Sequence, residues 1–254
     1  MPSVLAIAAH PDDIEYLMVG TMLQLARRGW ELHYVNLCDG SRGSTTMNRQ
    51  ECAQIRLGEA KRACELMGAR FYPPIYSDMA ATYSFENLAK VTSIVRTARP
   101  SIVLTHSPSD YMEDHEIACR LAVSAAFSHG MPNLESDPPV ESYFDPVTVY
   151  HCQPVGNRTP LGEIVRPHFF VDHSDLIDKK VELLACHASQ KEWLDESQGM
   201  DSYLQTMRDV NAETGAMSGK FEFAEGWRRH LHWGFCGPDD DPLRQALADV
   251  IVEA

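Results

Sequence analysis

An imidazole and two carboxylates stand within four residues of one another at His10-Pro11-Asp12-Asp13. Such a set can divide the work of metal-assisted hydrolysis. The histidine and one aspartate hold a divalent ion, while the other aspartate, left unligated, takes a proton from the activated water. Either aspartate alone could instead cap the helix that follows. A catalytic zinc takes three protein ligands and keeps one position open, so a third donor must come from elsewhere in the chain. Asp114-His115 supplies the candidate. Of the eleven histidines, most of the others have a structural reading: His33 alternates on a strand, His129 ends a helix, and His230 and His232 lie near Trp227 and Trp233.

For these residues to meet, strands must end beside them, because ligands in an open α/β sheet bind where loops diverge from the carboxyl ends of strands. Residues 4–9 form a short continuous apolar run ended by Pro11, as suits a strand buried on both faces of a parallel sheet. Residues 14–28 carry apolar side chains at helical spacing, closed by Gly29. The unit then repeats, with a strand over 31–37, a polar turn over 39–46 and an amphipathic helix over 48–67 ended by Gly68. A helix over 85–98 is stopped by Pro100. A second buried strand over 101–105 feeds the loop 106–110, and the helix 114–127 returns His115 toward His10. Residues 131–146, rich in proline and acid, read as a loop over one edge, and together with 39–46 they are expected to border a pocket. Strands over 147–153 and 168–172, a helix over 175–194 and a short helix over 243–252 complete the reading. The fold class is α/β, Rossmann-like, with a mostly parallel sheet covered by helices on both faces. A single domain over 1–236 is followed by an acidic turn and short helix over 237–254.

The composition, 44% hydrophobic and 23% charged, is that of an ordinary globular protein. A net charge of -14 repels phosphate backbones and anionic membrane surfaces, so neither nucleic acid nor membrane is an expected partner. The apolar run before His10 is too short for a signal segment or a membrane span. Seven cysteines, an odd number with no Cys-x-x-Cys pair, fit a reducing compartment. The expected location is the cytoplasm. A nucleotide-binding Rossmann enzyme is excluded, because the first strand leads into Pro-Asp-Asp where a glycine-rich phosphate turn would be required.

Ala9-His10-Pro11-Asp12-Asp13 directly after the first strand, with a downstream Asp-His pair, resembles the PIG-L/LmbE family of zinc-dependent de-N-acetylases. Further segments agree in order. Arg56-Leu57-Gly58-Glu59 looks like the family's Arg-x-x-Glu, Lys180 with His187-Ala188-Ser189-Gln190 like its Lys…His-x-Ser-Gln helix, and Ala224-Glu225-Gly226-Trp227-Arg228 like its Ala-Glu-x-Phe-Arg ending. The resemblance implies Zn²⁺ held by His10, Asp13 and His115, with Asp12 as general base. It implies hydrolysis of an acetamido group, usually on an amino sugar, a small N-acetylated substrate, and assembly as a homo-oligomer. Arg56 and Asp110 are the candidate substrate contacts. One position departs. The family's His-x-Asp-His is here Met112-Glu113-Asp114-His115, and a thioether neither protonates a leaving amine nor stabilises an oxyanion. That departure leaves two alternatives open, a non-catalytic metal- or sugar-binding protein and a deacylase of non-sugar amides.

Overall fold

The computed structural model describes residues 1–198 and 203–254, which build one eight-stranded mixed sheet with helices on both faces. The chain opens with β1 (Ser3–Ala8), α1 (Asp13–Leu17), α2 (Val19–Ala26) and β2 (Glu31–Asn36). It continues through α3 (Arg49–Met67), β3 (Arg70–Tyr72), α4 (Phe85–Ala98), β4 (Ile102–Thr105), α5 (Glu113–Ser128) and β5 (Thr148–Cys152). After β6 (Phe169–Asp172) come α6 (Ile177–Leu184), α7 (Ala188–Gln198), α8 (Tyr203–Ser218), β7 (Ala224–Arg229), α9 (Pro242–Ala246) and β8 (Ile251–Glu253).

The sheet order is β3-β2-β1-β4-β5-β7-β6-β8. The first five strands run parallel, and β7 and β8 pair antiparallel with their neighbours. Every residue of β1 is buried, and alternate side chains feed two cores. Val4, Ala6 and Ala8 pack with residues of α1, α2, α3, α6 and α8, whereas Leu5 and Ile7 pack with α4 and α5. The chain leaves β1 toward β2 and β3, then returns to the opposite side of β1 at β4. The loops after β1 and β4 therefore diverge at the sheet's switch point, where a crevice must open.

Local chemistry fixes several boundaries. Asn48 Oδ1 accepts the N–H groups of Gln50 and Glu51, Glu51 Oε2 accepts the Asn48 N–H in return, and Gly68 (φ 73°) closes α3 in the left-handed conformation. Elsewhere tertiary contacts override the sequence pattern. The helix expected over 14–28 breaks at Met18, which frees the N–H groups of Gly20 and Thr21 to donate to the Glu225 carboxylate at 2.8 and 2.7 Å. The helix expected over 175–194 breaks before Ala188 because Glu59 on α3 accepts both the N–H and the hydroxyl of Ser189, at 2.9 and 2.6 Å, at the start of α7. The helix expected over 243–252 is α-helical only over α9 and continues as a 3₁₀ turn over Ala248–Val250, after which residues 251–253 pair with β6, and Leu243 and Leu247 enter the core. The sequence pattern also did not mark β3, α8 or β7. The 131–146 loop lies against α4, where the Arg96 guanidinium holds the carbonyls of His129, Met131 and Val140. All seven cysteines are unpaired, five of them buried. Among the described residues no helix is long and apolar enough to cross a membrane.

A buried ion pair fixes the Glu225 carboxylate at the Met18 break. Lys180 Nζ, wholly buried, donates to Glu225 Oε1 at 2.5 Å and to Asn211 Oδ1 at 3.0 Å. Removing one partner of such a pair strands the other charge in the interior. Lys180→Met should therefore lower stability by roughly 3–5 kcal/mol, read as a shift of the urea midpoint. An unchanged midpoint would show that Glu225 needs no cation.

Candidate active site

At the end of β1 the chain turns through Asp12 with φ 110°, a left-handed conformation that costs a non-glycine residue on the order of 1–3 kcal/mol. The turn is held from several sides. Asp13 Oδ2 accepts the His10 N–H at 2.6 Å, the Asp12 carbonyl accepts the Tyr16 N–H at 2.8 Å, and Arg56 Nη2 donates to the Pro11 carbonyl at 2.5 Å. Gly40 makes room for Arg56, since a Cβ there would lie 2.6 Å from Arg56 Cδ.

The turn directs the two aspartates to different neighbours. The Asp13 carboxylate sits between two imidazoles, with Oδ2 3.5 Å from His10 Nδ1 and Oδ1 3.4 Å from His115 Nε2. Each ring rests its other nitrogen on a buried carboxylate. His10 Nε2 is 3.1 Å from Asp114 Oδ2, which also accepts the Met79 N–H, and His115 Nδ1 is 3.0 Å from Asp110 Oδ1. Outer carboxylates of this kind fix the tautomer and aim of metal-binding histidines. Asp114 and His115 are adjacent on α5, so they point in different directions, and this sends Asp114 to His10 and His115 to Asp13. The donor atoms of His10, Asp13 and His115 all lie within 4.8 Å of one another. Two imidazoles and a carboxylate facing a cavity match the three-ligand, open-position arrangement that suits a catalytic divalent ion such as zinc.

Asp12 faces away from that cluster. Its Oδ2 accepts the Tyr203 hydroxyl at 2.5 Å and its Oδ1 lies 3.5 Å from Arg56 Nη2. Burial pushes both aspartates up, but the outcomes diverge. The charges of His115 and His106 and a hydrogen bond to His10 hold Asp13 well below the usual carboxylate range. For Asp12, Arg56 and Tyr203 offset only part of the burial effect, to which the Asp13 charge adds, and its pKa is raised. Burial lowers His115, yet Asp13 and Asp110 together bring it to about 9. Neighbouring carboxylates driven apart in this way mark a permanent anion and a proton carrier.

A cavity of about 350 Å³ opens over these groups, bordered by His10, Asp12, Asp13 and His115 and by Tyr16, Tyr203, Gln190, Trp193 and Met112. The exposed residues Arg42, Met79 and Tyr111 mark its outer side. The 39–46 loop borders the cavity through Arg42 and Gly43, as expected, and no residue of 131–146 does.

Two expected substrate contacts take other positions. Arg56 is buried rather than exposed on its helix, and it borders the cavity with its guanidinium directed at Pro11, Asp12 and Gly40. Asp110 is buried behind His115 and does not border the cavity. It sits there because Asp110 N–H binds Glu116 Oε1, folding the loop back onto α5. His106, stacked on His115 at 4.2 Å, accepts the Ala9 N–H at Nε2 and stays beneath the site, where burial lowers its pKa. Tyr203 could not be found from spacing, since nothing near it in sequence carries the motif.

Comparison with known proteins finds relatives over most of the chain. Residues 5–127 match the family model described as PIG-L, GlcNAc-PI de-N-acetylase. Diacetylchitobiose deacetylase of Thermococcus kodakarensis is 32% identical over 231 residues, covering 89% of this chain and 82% of that protein. The chain belongs to the PIG-L family. The solved N,N'-diacetylchitobiose deacetylase of Pyrococcus horikoshii superposes with a TM-score of 0.77 at 26% identity, over 91% of this chain and 84% of that one. A 4-oxalmesaconate hydratase of Pseudomonas putida is 28% identical over 197 residues, 74% of each chain. Deacetylases of the PIG-L family are metal-dependent, and by this kinship the chain is an amide-hydrolysing enzyme.

The support given to each histidine is testable. Asp110→Asn should weaken metal binding about 10–100-fold, measured by competition with a chelator. Unchanged affinity would show that His115 is aimed by something else.

Proposed function

We propose that the chain is a zinc-dependent de-N-acetylase of N-acetylated amino sugars or related small molecules, with His10, Asp13 and His115 as metal ligands and Asp12 as general base. The observation that carries this reading is the division of the acidic turn, with Asp13 between two imidazoles and Asp12 turned away with a raised pKa. When bound there, the metal supplies a Lewis acid for the amide carbonyl and lowers the pKa of a water molecule. Asp12 takes the proton as the water oxygen adds to the carbonyl carbon. As the carbon–nitrogen bond breaks, Asp12 returns that proton to the nitrogen, leaving acetate and a free amine. Tyr203 and Arg56 hold the carboxylate through this exchange. A single residue acting first as base and then as acid removes the need for a histidine at position 112.

A metal-binding protein without catalysis has no use for a buried carboxylate beside its ligands that is held off the metal cluster. A second enzymatic reading does have a specific observation in its favour. Adding water to a carbon–carbon double bond involves no departing amine, which suits Met112, and a hydratase stands among the relatives. The two are separated by assaying free amine from N-acetyl sugars against loss of ultraviolet absorbance from unsaturated diacids.

Asp12→Asn should retain stoichiometric metal and lose about 10²–10⁴ in turnover, and full activity in that variant would remove Asp12 from the mechanism. Met112→His should leave kcat on a simple N-acetyl sugar within about twofold, because Asp12 already delivers the proton. A gain of about 10²-fold or more would mean that Asp12 does not return the proton unaided.

A further inference from the structure

The segment His187-Ala188-Ser189-Gln190 enters α7 with three polar side chains, and the structure separates their roles. His187 Nε2 lies 3.4 Å from Glu15 Oε1, and Ser189 is bound through its N–H and hydroxyl to Glu59. Ser189 is satisfied there, while the His187 nitrogens, also without a hydrogen-bond partner among the described residues, do not border the cavity. Gln190 does border it, and its Oε1 is buried with no hydrogen-bond partner among the described residues. An amide oxygen withdrawn from water without a donor is an unmet cost of folding, and such atoms call for a ligand that supplies the donor.

The surroundings restrict what that donor can be. Trp193 lies three residues on along α7, on the same side of the helix, and borders the same cavity. The backbone of the 39–46 loop approaches closely at Gly43, where a Cβ would stand 3.1 Å from Arg56 Nη1, 3.2 Å from Gln190 Oε1 and 3.6 Å from Trp193 Cδ1. Any larger residue at 43 would crowd the amide and the indole together. An acceptor oxygen beside an indole fits a ring that carries hydroxyl groups on its edge and C–H groups on its face.

We propose that Gln190 Oε1 accepts a hydrogen bond from a ring hydroxyl of the substrate, with Trp193 as the wall against the ring face. The two residues then determine specificity for a sugar ring over an open-chain amide. This rests on the deacetylase reading of the same site.

The test pairs substrate and protein changes. Free-amine release from N-acetylglucosamine and its 3-, 4- and 6-deoxy analogues is measured with the zinc-loaded wild type, Gln190→Leu and Gln190→Glu, with metal content determined for each. One deoxy analogue should lower wild-type kcat/KM about tenfold or more. The same analogue should cost Gln190→Leu less than about twofold, because the acceptor is already gone, while Gln190→Glu, which keeps an acceptor, should retain the discrimination. A wild type indifferent to every hydroxyl, or a Gln190→Leu enzyme as selective as the wild type, overturns this inference and leaves the deacetylase reading standing. If N-acetylglucosamine is neither hydrolysed nor bound by the zinc-loaded enzyme, both fall together.

Discussion

Two adjacent carboxylates, both buried, are confined to one tight turn, and much of the molecule is arranged to keep them from behaving alike. Placed side by side in a medium that stabilises charge poorly, they would raise each other's pKa and both tend toward the neutral form. The left-handed backbone at Asp12 prevents this by aiming them in different directions. Asp13 meets the imidazoles of His10 and His115, and Asp12 meets a phenol and a guanidinium. A turn with both side chains on one side could not make a fixed anion and a proton carrier from the same residue type.

The helices behind the sheet secure that turn at one remove. Arg56 and Glu59 lie one turn apart on α3 and face different tasks, Arg56 the acidic turn and Glu59 the start of α7. Glu225 on β7 gathers Lys180 from α6 and the first amides of α2. The short sequence motifs that look like scattered matches are thus two interlocks, each joining distant segments through one carboxylate, buried at Glu225 and partly buried at Glu59. Few of their side chains are left for a ligand, and that singles out Gln190.

Much of this was legible where the signal is local. The strand before His10, the capped α3, α4 and the loop and helix around His115 follow from apolar spacing and from glycine or proline punctuation. The candidate site residues also stand out in the sequence, since three of the four, His10, Asp12 and Asp13, lie in one turn. What escaped depends on distant partners. The break at Met18 answers to Glu225, 205 residues away. The buried face of α8 includes Asn211, Thr214 and Gly215 beside Tyr203 and Met207, so its apolar period is weak. Arg56 and Asp110, the expected substrate contacts, stand at the cavity border and behind His115, a placement that was not legible because residue type does not show which way a side chain turns.

The hydroxyl of Tyr203 reaches Asp12 across 191 residues of chain, whereas the three proposed metal ligands all lie between His10 and His115. Coordination and proton handling are thus lodged in different parts of the polypeptide. The first half carries every proposed ligand, but the carboxylate proposed to move protons has only Arg56 beside it until α8 brings the Tyr203 hydroxyl. A chain still being made, or one cut short before α8, would carry the ligands without the finished base. The later segments also supply Gln190 and Trp193, so what the enzyme accepts and when it becomes competent are set by the same late-arriving layer, and substrate preference can change there while the ion clamp stays as it is.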